Sequence, residues 1–237
     1  MFDILHNYLA LFLVGNWPHG PLGGVAITLV ISALGLVVSF PIAVAIGLAL
    51  VSPLRGLRRA ATVWTRLIRG IPLLMLIFWA YFAMPLLIGA EVSALTTAVC
   101  AIIVYESAFL AQIVRAGLEG LPRGQMEAAR SNGLSWLQSM RYVQLPQALA
   151  NMLPSIVNQF VSIIKATSLA YVIGVPELTY SAAQVNTITL TSPLQTFLVL
   201  AAFYFVLCFA ISRFAGRLEH RIARQRAGLD FAGVTPP

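Results

Sequence analysis

Little in this chain equips it for soluble enzyme chemistry. Among 237 residues there are two cysteines, three histidines and one lysine, and only 10% are charged. Cys100 and Cys208 both fall within long apolar stretches, so no disulfide framework is implied. His6, His19 and His220 lie outside those stretches and far from one another, and no ligand spacing joins them into a metal site. No GxxxxGK[ST] loop is present, so the chain has no phosphate cradle of its own. An intramembrane protease would need a nucleophile and a base inside the bilayer. The apolar stretches contain neither a histidine nor a pair of aspartates.

What the chain has instead is apolar length. It is 59% hydrophobic, with a mean hydropathy of +0.86, more than a soluble domain of this size can bury. About 20 apolar residues cross a bilayer as a helix, and windows of that kind occur at 23–51, 61–88, 94–118, 149–175 and 194–216. The runs are continuous rather than alternating, which excludes a transmembrane β-barrel. The first window begins too far from Met1, and without a basic flank, to be a cleaved signal peptide. The expectation is therefore an all-α membrane protein with five transmembrane helices. Pro41 predicts a kink in the first window, and Gly70-Ile71-Pro72 predicts a bend in the second, near the cytoplasmic face.

A net charge of +7 and a pI near 10 would suggest nucleic acid as the partner of a soluble protein. The placement of the charges points elsewhere. Arg55, Arg58 and Arg59 follow the first window. Arg115, Arg123, Arg130 and Arg141 surround the third connection, and Arg213, Arg217, Arg221, Arg224 and Arg226 accompany the last window's end. The N-terminal segment and the 84–95 and 176–193 loops contain no Lys or Arg. This alternation is the positive-inside pattern. It puts the N-terminus outside and the C-terminus in the cytoplasm, and it assigns the basic balance to topology and membrane lipid rather than nucleic acid.

Residues 3–14 are too short to span and read as an interfacial helix within an extracytoplasmic segment, 1–22. Residues 23–218 form the transmembrane domain, and the basic, proline-ended 219–237 tail is expected to be poorly ordered in the cytoplasm.

The third connection reads LPRGQMEAARSNGLSWLQSMRYVQLP, residues 121–146. Pro122 suits the first turn of a short helix running to about Arg130. Gly133 fits a left-handed cap, Ser135 can cap a second short helix, and Pro146 is expected to end that helix before the next span. The order Glu127-Ala128-Ala129, three residues, Gly133, nine residues, Val143, one residue, Leu145-Pro146 resembles the EAA loop of ABC importer permeases, with Val143 where isoleucine is usual. Further segments resemble permeases of the polar amino-acid importers. These are Arg69-Gly70-Ile71-Pro72-Leu73-Leu74, Arg115-Ala116-Gly117, Gly124-Gln125, Lys165-Ala166-Thr167-Ser168-Leu169 and the run from Glu106 to Arg115. In the last of these, Phe109 and Gln112 stand where tyrosine and glutamate are common.

That resemblance implies a type I ABC importer permease fold with a cytoplasmic coupling loop, 119–146, in which Gln125, Glu127, Ala128, Ala129 and Gly133 serve ATPase coupling. It implies partner ATPase subunits that bind ATP and Mg, leaving this chain without a cofactor. It also implies a second permease subunit, identical or homologous, an extracytoplasmic amino-acid-binding protein and a bacterial cytoplasmic membrane. Acidic or broad-range polar amino acids are the favoured cargo, and a histidine- or arginine-type importer is the alternative. A channel or scaffold would explain the spans but not the loop.

Lys165 is the one lysine and lies within a span, where a buried cation costs about 2.5–3.5 kcal/mol. It should face water or the bundle interior. Asn158, Ser162 and Lys165 share a helix face. On the third span Tyr105, Phe109 and Gln112 form another, with Glu106 beside it. Lys165 is a candidate for a substrate carboxylate, and Glu106 or Gln112 for its ammonium. The plainer alternative pairs Lys165 with Glu106, or lets Lys165 snorkel. Thr167 and Ser168 are weaker candidates, whose hydroxyls can instead bond to helix carbonyls. Glu177 reads either as a contact for a docked binding protein or as a solvated loop carboxylate.

Overall fold

The computed structural model describes the backbone of residues 2–190 and 192–232 and the side chains of 4–190 and 192–217. Its helices are α1 (Phe2–Val14), α2 (Gly24–Leu50), α3 (Arg55–Gly70), α4 (Leu73–Ile88) and α5 (Ala94–Glu119). After them come α6 (Arg123–Ser131), α7 (Trp136–Ser139), a π-helical turn (Met140–Gln144) and α8 (Leu145–Ala166). A 3-10 segment (Thr167–Ile173), α9 (Leu178–Thr189) and α10 (Pro193–Ala232) complete the order.

Among the described residues four stretches are long and apolar enough to cross a membrane: α2, α5, the continuous run Trp136–Ile173, and Pro193–Arg217. The count reaches five when α3 and α4, bent by 94° at their junction, are taken as one crossing. The bend has a local cause. Pro72 has no N–H to donate, and it forces Ile71 out of the helical region to φ −94°, ψ 131°. Beside the break, Arg69 lies over the Phe109 ring of α5 at 5.0 Å.

α2 runs as one helix through Pro41. One further proline expectation is corrected. Pro146 does not end the helix that begins at Trp136: the chain enters α8 through the π turn, and the Gln147 side-chain amide donates to the Val143 carbonyl at 2.9 Å. The tail also departs from the reading. α10 continues past residue 218 to Ala232, while residues 233–237 lie outside the described part.

α2 and α5 form the central pair. Ile27 and Ile31 of α2, Ile77 of α4, Ile102 of α5 and Ile163 of α8 meet in one buried cluster. Toward the other end of the pair the helices approach closely at Gly47, where an added Cβ would lie 2.5 Å from Val114 Cγ1. α1 is more than an interfacial helix. Its Ile4 and Phe12 are buried against Leu178, Ala182 and Val185 of α9 and Val199 and Leu200 of α10. Large apolar side chains are exposed along the other helices, among them Val37 on α2, Phe82 and Leu86 on α4, and Phe205 and Phe209 on α10. Surfaces of this extent suit lipid or a partner subunit, not water.

Candidate functional site

Two places stand out. The 121–146 hairpin carries the coupling candidates. A cleft where the α3–α4 break meets α5 and α8 contains, of the substrate candidates, Gln112 alone; Glu106, Asn158, Ser162, Lys165, Thr167 and Ser168 lie outside its lining.

The hairpin is fixed at both of its turns. At the end of α6, Gly133 adopts φ +84°, a left-handed conformation that favours glycine. Its N–H donates to the Arg130 carbonyl at 3.0 Å and that of Leu134 to the Ala129 carbonyl at 3.3 Å, the two bonds of a Schellman cap. Ser135 then opens α7 with a capping box: its hydroxyl accepts from the Gln138 N–H, and the Gln138 side chain accepts from the Ser135 N–H at 2.8 Å. Pro122 sits one residue before α6 rather than in its first turn. Glu127 and Ala128 are exposed side by side, whereas Ala129 turns inward and is 8% exposed. Gln125 is half-buried, and its Oε1 is buried without a hydrogen-bond partner among the described residues. Beneath the hairpin, Leu121 and Met140 pack with Val114 and Leu118 of α5 and Ala148 and Met152 of α8. The hairpin is thus seated on α5 and α8.

The cleft has a volume of about 580 Å³, and its polar lining includes Arg69, Gln112, Asn151, Ser155 and Gln159. Gln112 donates to the Thr65 hydroxyl at 3.3 Å, and Arg69 covers Phe109. Glu106 is 2% exposed and does not open on the cleft directly, because Gln159 stands over it and donates to its carboxylate at 2.7 Å. Glu106 and Lys165 are not paired; among the described residues the ion pair is Arg115–Glu119, at 2.9 Å. Asn158, Ser162 and Lys165 are all exposed on α8. Thr167 is buried and Ser168 is half-buried, and their hydroxyls donate to the carbonyls of Ile164 and Lys165.

Sequence reasoning missed Arg69 and Gln159 as cleft residues. Asn151, Ser155 and Gln159 recur every fourth residue, which was a legible signal for the second. Arg69 was not legible, because its position depends on the 94° break.

Glu177 fits neither role expected of it. Wholly buried, it caps α9, accepting from the N–H groups of Thr179 and Tyr180, both at 2.9 Å, and from the Tyr204 hydroxyl at 3.0 Å. Burial holds its carboxyl above the ordinary glutamate value, and these hydrogen bonds oppose the shift. Next to it, the Leu178 N–H donates to the Thr28 hydroxyl and the Gly24 N–H to the Pro176 carbonyl. The 176–180 strap thereby ties α2, α9 and α10 together. Among the described residues no group of three His, Cys, Asp or Glu side chains is placed to hold a metal.

Comparison with known proteins accords with this architecture. The family described as "Binding-protein-dependent transport system inner membrane component" matches residues 39–224. A probable glutamine ABC transporter permease protein, GlnP of Bacillus subtilis (strain 168), is 38% identical over 200 residues, covering 84% of this chain and 91% of the relative. The glutamate transport system permease protein GluD of Corynebacterium glutamicum is 31% identical over 223 residues, covering 93% of this chain and 81% of the relative. Among solved structures, a chain from the crystal structure of an amino acid ABC transporter with histidines superposes with a TM-score of 0.80 at 30% identity. The match covers 93% of this chain and 98% of that one.

Proposed function

The chain belongs to the binding-protein-dependent transport system inner membrane component family, and from that premise we propose that it forms the translocation pathway of an ATP-driven importer of polar amino acids. It is a permease subunit of an ABC transporter, and ATP hydrolysis belongs to a partner ATPase. The favoured cargo is an acidic or broad-range polar amino acid, with glutamine and glutamate first in view of the relatives. The chain holds no cofactor; ATP and Mg²⁺ are held by the partner.

The observation that carries the reading is the 121–146 hairpin. It presents Glu127 and Ala128 on a short helix whose far side is seated on α5 and α8. A cleft in a cytoplasmic ATPase closing on that helix would move the two spans as a rigid body and change which side the pathway faces. The termini are then oriented with the N-terminus outside and the C-terminus inside, as the arginine placement supports.

A second permease copy or homologue completes the pathway. Ser155, Asn158, Ser162 and Lys165 are exposed along α8 at alternating spacings of three and four, with Asn151 one turn before them. This is the rhythm of a helix–helix seam. Polar groups on that seam are costly against lipid. Against a partner helix or a water-filled path they are satisfied.

Within the cleft, Arg69 offers a forked donor to the substrate carboxylate, while Gln112 and Gln159 supply amide groups for the remaining polar atoms. The acid of the site, Glu106, is screened by Gln159, which favours a neutral or acidic side chain over a cationic one. Uptake of a labelled amino-acid panel by the reconstituted complex with its own binding protein tests this. ATP-dependent uptake led by glutamine or glutamate is expected, and Arg69→Gln should raise KM more than it lowers kcat. Preferential uptake of arginine or histidine would overturn the cargo, and uptake independent of ATP would favour the channel reading.

A further inference from the structure

The two glutamines that α5 and α8 bring to the cleft are both held by their nitrogen. Thr65 and Arg69 lie one turn apart on α3 and meet Gln112 and Phe109, one turn apart on α5. Gln112 Nε2 donates to the Thr65 hydroxyl at 3.3 Å, and the Arg69 guanidinium covers the Phe109 ring at 5.0 Å. Thr65 is 1% exposed. Its single hydroxyl proton is committed to its own helix, donated to the Ala61 carbonyl at 2.9 Å, with the Thr62 carbonyl further off at 3.2 Å. Toward Gln112 the hydroxyl can therefore only accept, which fixes the amide with its nitrogen on Thr65 and its carbonyl oxygen at the other end. Gln159 is fixed in the same sense: its Nε2 donates to the Glu106 carboxylate at 2.7 Å, and a carboxylate only accepts.

The set of groups left for a guest is therefore one-sided. Arg69 is the one charged residue in the cleft lining, and the oxygen ends of Gln112 and Gln159 stand with it. An amino acid seated with its α-carboxylate on Arg69 gives its α-ammonium to one of these oxygens. A side-chain carboxamide can donate an N–H to the other. A side-chain carboxylate has no proton to give, and it would face that oxygen without a second cation to pair it. We propose that Thr65 is a positioning residue that sets the cleft for a carboxamide amino acid of the glutamine type over the corresponding acid, by holding the Gln112 carbonyl toward the cargo. Thr65 itself stands behind the lining and touches no cargo. The proposal rests on the reading of this cleft as the cargo site.

Equilibrium binding of labelled glutamine and labelled glutamate to the purified permease–ATPase complex, without its binding protein, reads the preference of the cleft alone. The wild type is expected to bind glutamine more tightly than glutamate. Thr65→Val removes the acceptor and frees the Gln112 amide to turn, so the glutamine-to-glutamate affinity ratio should fall about fivefold, the worth of one hydrogen bond. Thr65→Ser keeps the hydroxyl and should keep the wild-type ratio. A merely structural Thr65 would weaken both ligands together and leave the ratio unchanged in Thr65→Val, and that result would overturn the proposal. Tighter binding of glutamate by the wild type would overturn it whatever the variants do. Arg69→Gln tests the site itself: loss of affinity for both ligands supports the cleft as cargo site, whereas unchanged affinity for both would overturn that site and the role of Thr65 with it.

Discussion

Replacing Glu177 by alanine is the sharpest test of how α2, α9 and α10 are held together. In the wild type its two carboxylate oxygens accept from two backbone N–H groups and from the Tyr204 hydroxyl, all inside a site closed to water. Alanine removes the acceptor and leaves the donors behind. Loss of a helix N-cap costs about 0.5–2 kcal/mol, and each buried donor left unpaired costs about 1–3 kcal/mol. The Tyr204 hydroxyl is spared part of this, because it also lies 3.1 Å from the Thr179 hydroxyl. The cap loss and the two unpaired N–H groups describe the same broken bonds, so they are counted once, as two buried donors, for about 2–6 kcal/mol, reaching the exceptional range for a single substitution. Tyr204→Phe removes one donor and should cost only about 1 kcal/mol. The double variant should fall short of the sum of the two singles by a similar amount, because they share a bond. Equilibrium unfolding in detergent micelles, followed by tryptophan fluorescence, measures all three. A Glu177→Ala variant within about 0.5 kcal/mol of wild type would refute the reasoning, and so would strict additivity with Tyr204→Phe.

Other expectations follow from single contacts. Gly47→Val would place a Cβ 2.5 Å from Val114 and should cost at least about 1–3 kcal/mol by overpacking, read in the same unfolding assay. Gly133→Ala forces a side chain into the left-handed region and should cost about 1 kcal/mol; ATP-dependent uptake should fall more than stability does. Glu127→Ala alters an exposed residue, so the protein should fold normally while co-purification with the ATPase and uptake both decline; normal uptake would count against the coupling role. Lys165→Met should lower uptake without destabilising the chain, and unchanged kinetics would remove Lys165 from the pathway.

The parts of this molecule legible in the sequence were those set by local chemistry. Continuous apolar length marked out α2, α5, α8 and α10. The Gly133 and Ser135 signals located both turns of the hairpin, because a left-handed cap and a hydroxyl N-cap require particular residues at particular positions. Prolines were read less well. Pro72 and Pro146 each remove one donor, yet the α3–α4 chain turns by 94° at the first, while at the second the chain enters α8 through a π turn and continues. The difference lies in what surrounds each proline. Only Pro72 follows a residue held in extended geometry and a glycine that ends the preceding helix.

Charged residues posed the same difficulty in another form, since a formal charge says nothing of its neighbours. Glu177 appeared to be a loop carboxylate and is instead the buried knot of three helices. Glu106 and Lys165, natural partners by charge, are not paired: Gln159 donates to the carboxylate at 2.7 Å, and Lys165 lies six residues further along α8 on another face. With its charge neither neutralised by that acid nor covered by this chain, Lys165 continues a polar line along α8 that lipid would penalise. The same physics that made Lys165 conspicuous in the sequence therefore bears on quaternary structure. An exposed ammonium among exposed amide and hydroxyl groups on a spanning helix needs water or a second subunit beside it, and the proposed pathway between two permease chains would supply both.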